Sequence, residues 1–310
     1  VEKQIAAREV SPPLAIRLRE RLSREQVLGY LLISPALLLL LLLVAYPFLI
    51  ALYLSVSDAT FGELGSFVGL ANFQALWRSD LFRRTLQNSF IFTSVSVLLK
   101  TVLGLTLALL LNRSLRLKRV IRGAVLLPWV IPTALSTLGW WWMFDSLYSV
   151  INWTLVHLGL VKTGFQWLGV PHLAMMAVIA VNVWRGLPFF AISILAGLVS
   201  IPRELYEAAE VDGARATARF FSITLPLLKP VLIIVILFST IFTFSDFNIV
   251  YVLTRGGPMN STHLFATLAH QLGMMSGQLG QGAAVSLFMF PFLALVVYLQ
   301  LRLLRKETGS

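Results

Sequence analysis

Two groups of residues stand out by type and spacing. The first is a cluster of acidic and small residues: Glu204, Glu207, Ala208, Ala209, Asp212 and Gly213 fall within ten positions. Carboxylates and compact side chains on one short helix can anchor that helix on a partner while letting backbones approach closely. The second is a set of polar and aromatic residues within otherwise apolar stretches. Asn182, Trp184 and Arg185 share one stretch; Ser239, Thr243, Asp246, Asn248 and Tyr251 share another; Trp140, Trp141 and Trp142 sit in a third, and Lys100 in a fourth. Hydrogen-bonding groups beside aromatic faces, with little net charge, are the chemistry that holds a polar, uncharged ligand. The same residue types also pin helices together and form interfacial tryptophan belts.

Other chemistry is missing. The chain has no cysteine, so disulfides, thiolate metal sites and thiol catalysis are excluded. No Gly-Lys dipeptide occurs, which removes the Walker phosphate loop. The four histidines, His157, His172, His263 and His270, do not share the four-residue helical spacing of a metal pair and read as polar loop residues near the outer surface. No Gly-x-Ser-x-Gly nucleophile turn is present. No catalytic constellation is visible, no metal site is expected, and the chain reads as a non-enzyme.

The elements that position these residues must live in lipid. Of 310 residues, 57% are hydrophobic and 13% charged, against about 25% charged in soluble domains. Six apolar runs are long enough to cross a hydrocarbon core of about 30 Å: 28–54, 89–111, 123–144, 173–198, 230–253 and 282–304. Each is expected to be helical, because a lone strand cannot satisfy its backbone in lipid. The fold class is therefore all-α and polytopic. Residues 150–160 are apolar but too short to span and read as an interfacial or re-entrant piece.

The basic residues set the orientation. Of the 25 Lys and Arg, 18 lie in the N-terminal tail, the loops after the second and fourth runs, and the C-terminal end. Five lie in the other loops, and Lys100 and Arg185 lie inside spans. The positive-inside rule then puts both termini in the cytoplasm. The net charge of +11 is a topology signal and calls for no nucleic-acid partner. The tail, 1–27, is too long and charged for a signal peptide and is expected to form a short surface helix after Pro13. The remainder, 28–310, reads as one transmembrane domain without an internal repeat.

The loop at 200–229 can be built from its residues. Ser200 and Pro202 suit a helix start, Glu204 and Glu207 favour its N-terminal half, and Gly213 permits the left-handed turn that ends it. A second short helix is expected from Ala214 to Ile223, with Pro226 punctuating the chain and Pro230 opening the fifth span. Ser239, Thr243 and Asp246 then fall on one helical face, with Asp246 about 24 Å beyond Pro230, in the outer half of the membrane. A kink is expected at Pro188. Arg185 is too costly to face lipid, and a pair with Asp246 stays open although the two differ in depth by about two turns. Lys100 is expected to snorkel or to pair internally.

Glu207, Ala208, Ala209, Gly213, Ile223, Leu225 and Pro226 reproduce, position for position, the EAA pattern of permease subunits in binding-protein-dependent ABC importers. WRGLPFFAISILAGLVSIPRELYEAAEVDGA from Trp184, FVGLANFQAL from Phe67 and LTRGGPMNST from Leu253 resemble the carbohydrate branch, in particular its maltose-type first permease. The resemblance implies a type I importer fold and transport of a sugar, oligosaccharide or disaccharide, across a bacterial or archaeal plasma membrane. It implies a coupling helix at Glu207, Ala208, Ala209, Asp212 and Gly213 docked on a separate ATPase, which carries the ATP and Mg. It also implies the partners: a second permease, two ATP-binding subunits and an extracytoplasmic sugar-binding protein. Asn182, Trp184, Arg185, Thr243, Asp246, Asn248, Tyr251 and Trp141 are the candidates for the sugar path. The alternatives are an importer of the same architecture for a glycerol phosphodiester or polyamine, and a self-contained secondary carrier. The carrier would need a repeat or coupled ionisable sites, and neither is evident.

Overall fold

The computed structural model describes residues 25–113 and 117–308. The expected surface helix of the tail and residues 114–116 of the first basic loop lie outside the described residues.

Contacts divide the chain into two units, residues 1–53 and 54–310. In the first, α1 (Glu25–Leu40), a π-turn (Leu41–Ala45) and the start of α2 (Tyr46–Ser55) form one apolar span, Gly29–Ser55, whose described side chains up to Tyr53 are nearly all exposed. A helix apolar all round is suited to lipid.

The second unit holds α3 (Ala71–Arg78), α4 (Asp80–Asn112), α5 (Lys118–Val130), α6 (Thr133–Met143), α7 (Val150–His157) and α8 (Pro171–Ser200). These are followed by α9 (Arg203–Val211), α10 (Ala216–Arg219), a π-turn (Phe220–Thr224), α11 (Leu225–Phe244), α12 (Asn248–Leu253), α13 (Phe265–His270), a π-turn (Gln271–Met275) and α14 (Leu279–Thr308). Among the described residues there are no strands, only two isolated bridges. Five helices are long and apolar enough to cross a membrane, and a sixth span exists if the bent pair α5–α6 is counted as one.

α4 starts at Ser79, whose hydroxyl accepts from the Phe82 N–H, with Asp80 in the first turn where the helix dipole favours a carboxylate. Phe82, Thr85, Ser89, Phe92, Ser96, Lys100, Gly104, Ala108 and Leu111 form its buried stripe at three- and four-residue spacing. That stripe packs on α8. Gly104 is needed there, because a Cβ would collide with the Cβ of Phe190.

The structure corrects two expectations about the spans. The third is not one helix: α5 and α6 meet at 91° across Ile131 and Pro132. Pro132 lacks the N–H that would continue the ladder, and Ile131, as a residue before proline, is extended (φ −66°, ψ 133°). The fifth span starts earlier and ends earlier than expected. Its helix runs from Ala216 to Phe244 and takes in Pro226 and Pro230, then breaks before α12. Pro226 lies inside this continuous helix, directly after the π-turn at Phe220–Thr224, where the regular α-helical bonding is already interrupted. Pro188 lies inside the continuous helix α8.

Candidate functional site

The first site is a cavity of about 410 Å³ built by α4, α5, α6, α8 and the end of α11. The break between α11 and α12 delivers Ser245, Asp246, Phe247 and Asn248 to its wall, and the α5–α6 break delivers Trp129 and Thr133. Broken helices are how a membrane protein brings free backbone and polar side chains to a cavity. Phe189, Phe190 and Phe242 supply its apolar wall.

A buried network crosses the cavity wall. Lys100 Nζ donates to Asn182 Oδ1 (2.9 Å) and to Thr243 Oγ1 (2.7 Å). Asn182 Nδ2 donates to Asp246 Oδ2 (2.9 Å), and Asp246 Oδ1 accepts the Ile249 N–H (3.1 Å) at the start of α12. Asn182 thus relays between an ammonium and a carboxylate and joins α4, α8 and the α11–α12 break. The Arg185 Nε is buried with no hydrogen-bond partner, and Arg185 lines the same cavity.

Of the sequence candidates, Asn182, Arg185, Thr243, Asp246 and Asn248 meet at this cavity. Three do not line it. Trp184 packs edge-on against Trp140 (centroids 5.4 Å apart), and Tyr251 stacks on Phe247 (4.8 Å) and meets His270. Trp141 lines a separate pocket of about 210 Å³ with Asp145, Gln166 and Trp167. The backbone N–H groups of Tyr148 and Leu147 hold the Asp145 carboxyl below the usual carboxylate range.

Asp246 is not on the helical face shared by Ser239 and Thr243. It lies just past the helix end, yet still reaches the same cavity. Its partner is Asn182, and Arg185 forms no ion pair with it among the described residues. Lys100 pairs internally, one of the two outcomes expected for it, but it is not among the path candidates although it lines the cavity; its partners sit 82 and 143 positions away. Trp129 was also missed, although the prolines flanking it, Pro128 and Pro132, signal a broken helix. His157, His172 and His270 lie in helices α7, α8 and α13, not in loops, and His263 is a loop residue but not a surface one. It is buried beside Thr267 (3.1 Å), and burial pushes its pKa down to about 4.

The second site is the loop at 200–229. α9 carries Glu207 and Ala208 exposed and Ala209 half-buried, and Asp212 caps its end. Gly213 (φ +76°) donates to the Glu210 carbonyl (3.1 Å) and Ala214 to that of Ala209 (2.8 Å), the paired bonds of a Schellman stop. Tyr206 points the other way: its hydroxyl lies 3.0 Å from Thr224 Oγ1, and Glu210 pairs with Arg219 at 3.2 Å. The expected second helix does not stop at Ile223 but runs through the π-turn into α11.

This arrangement of spans is that of the membrane subunit of a type I ABC importer. The chain superposes on a chain of the crystal structure of a bacterial importer of the acidic polysaccharide alginate, with a TM-score of 0.80 at 23% identity over 94% of this chain and 99% of that one. It belongs to the family of binding-protein-dependent transport system inner membrane components, whose pattern it matches over residues 100–308. It is 40% identical to the trehalose/maltose transport system permease protein MalF of Thermococcus litoralis, over 92% of this chain and 96% of that one. It is 37% identical to the sulfoquinovosyl glycerol permease SmoG of Agrobacterium fabrum (91% and 92%) and 31% identical to the trehalose permease SugA of Mycobacterium tuberculosis (90% and 89%). The chain is thus a non-catalytic permease of the inner membrane.

Proposed function

We propose that this chain forms half of the translocation path of an ATP-driven importer for a disaccharide or short oligosaccharide. The observation that carries the reading is the cavity at the α11–α12 break. Its volume falls in the range of small-molecule sites, about 300–1,000 Å³, and its wall mixes hydrogen-bonding side chains with aromatic rings. The relatives named for trehalose, maltose and a sugar glycoside support the same class.

The other half of the path is a second permease. Two ATP-binding subunits hold ATP and Mg and dock on the loop at 200–229, while an extracytoplasmic binding protein delivers the sugar. No cofactor resides in this chain. Both termini are cytoplasmic, in a bacterial or archaeal plasma membrane, in keeping with the distribution of Lys and Arg. Glu207 is the polar anchor of the coupling helix, Ala208 and Ala209 its close-packed face, and Asp212 and Gly213 its turn. In support, Val211 is 88% exposed and Leu205 44%, apolar surface on a polar helix that a protein partner would cover. On the path, Asn182, Arg185, Thr243, Asp246 and Asn248 meet the sugar, while Trp184, Tyr251 and Trp141 act from outside the cavity.

Uptake of labelled trehalose and maltose by the assembled complex in proteoliposomes tests the substrate class. Transport of either, with a raised KM in Asn248→Ala, is expected; transport of neither would remove the reading. The unpartnered Arg185 Nε favours a second reading, a glycoside carrying an anionic group, and competition by such a glycoside in the same assay distinguishes the two.

A further inference from the structure

Tyr206 and Glu210 lie one turn apart on α9, so both face the start of the fifth span. Their partners there, Thr224 and Arg219, are five residues apart. In a regular α-helix five residues turn through about 500°, which would place the two partners about 140° apart. The π-turn Phe220–Thr224 closes with i→i+5 bonds and absorbs the extra residue. Arg219 and Thr224 consequently address the same face of α9. The Tyr206 ring packs in the apolar cluster that includes Leu198 of α8, Ile201 just after it and Leu228 of α11. Thr224 is 5% exposed, so its bond to Tyr206 is shielded from water, whereas the Glu210–Arg219 pair is largely exposed at the glutamate.

We propose that Tyr206–Thr224 and Glu210–Arg219 form a two-point clip, registered by the π-turn, that makes the coupling helix and the fifth span move as one body. Tyr206 and Thr224 are positioning residues: the displacement enters at the exposed Glu207 side of α9 and leaves at Ser239 and Thr243. Those two lie about 22–29 Å along the helix from Thr224, on the cavity wall. The clip rests on the coupling reading of this loop.

The test uses the complete complex in proteoliposomes and reads sugar transported per ATP hydrolysed. Tyr206→Phe removes one oxygen and leaves the ring in its cluster. It is expected to keep the ATPase rate within twofold and to lower the transport-to-ATP ratio about fivefold, the size of one hydrogen bond. Thr224→Val should do the same, Thr224→Ser should restore the ratio, and the double variant Tyr206→Phe with Thr224→Val should be no worse than either single. For the outer point, Glu210→Arg and Arg219→Glu should each lower the ratio, and their combination should recover it. An unchanged ratio in Tyr206→Phe and Thr224→Val would overturn the clip, as would a parallel loss of ATPase and transport. Glu207→Lys runs alongside: wild-type uptake in that variant would sink the coupling reading itself, separately from the clip.

Discussion

The most consequential single residue is Asn182, because its amide satisfies two opposite charges at once. Asn182→Leu would take one buried hydrogen bond from each of Lys100 and Asp246, leaving Thr243 and the Ile249 N–H as their remaining partners, a cost of about 1–3 kcal/mol in all. A lower melting temperature of the purified complex and at least tenfold slower uptake are expected; an unchanged melting temperature would show that the relay carries no stability. His263 gives a pH-dependent case. Its pKa is lowered to about 4 by burial, against ~6.5 in the unfolded chain. Between these values the unfolded chain binds a proton that the native chain does not, so His263 lowers stability progressively as pH falls from about 6.5 toward 4. Thermal unfolding at pH 7 and pH 4.5 is expected to show a smaller acid loss in His263→Gln than in the parent chain. Equal losses would assign the slope to other groups. At this scale the sequence shows the residue types and hides the partners. Asn182, Arg185 and Asp246 stand out as polar residues in apolar runs, but nothing local to Lys100 points to Asn182 or Thr243, because only the packing of α4 on α8 and α11 brings them together.

Elements were legible where apolar length alone decides them, and less so where the chain must bend. The runs of α4, α8 and α14 read directly. The 91° break at Pro132 and the end of α11 at Phe244 did not, because an uninterrupted apolar run looks the same whether straight or broken. The Schellman stop at Gly213 was legible, since that φ is one glycine adopts freely. The π-turn beyond it was not, because its residues, FFSIT, carry no local mark of the extra residue per turn. Close packing yields a sharp prediction. Gly104→Ala places a methyl against the Phe190 Cβ, which belongs to a neighbouring helix and cannot rotate away. A loss of about 1–3 kcal/mol is expected, seen as a drop in melting temperature, while Gly139→Ala, with open space around it, should leave the temperature unchanged. Equal behaviour of the two would mean that α4 and α8 are not held at this separation.

At the scale of the whole molecule, an exposed acidic helix and a cavity in the membrane-spanning unit are joined by one helix, Ala216–Phe244. The EAA pattern made the first legible in sequence, because seven fixed positions fell on the loop assigned to the cytoplasm. The cavity was legible only as a list of residues, three of which proved to lie off its wall. Glu207→Lys is expected to abolish uptake while leaving membrane insertion and cavity-dependent stability intact. The central claim is that this chain translocates solute only in company, driven by ATP hydrolysed on another subunit. Its most direct test is affinity purification from native membranes in mild detergent, with quantitative mass spectrometry of everything retained. The account predicts one second permease and two ATPase chains for each copy of this chain, with Glu207→Lys losing the ATPase and keeping the permease. Recovery of this chain alone, stable and able to transport in liposomes without ATP, would contradict it.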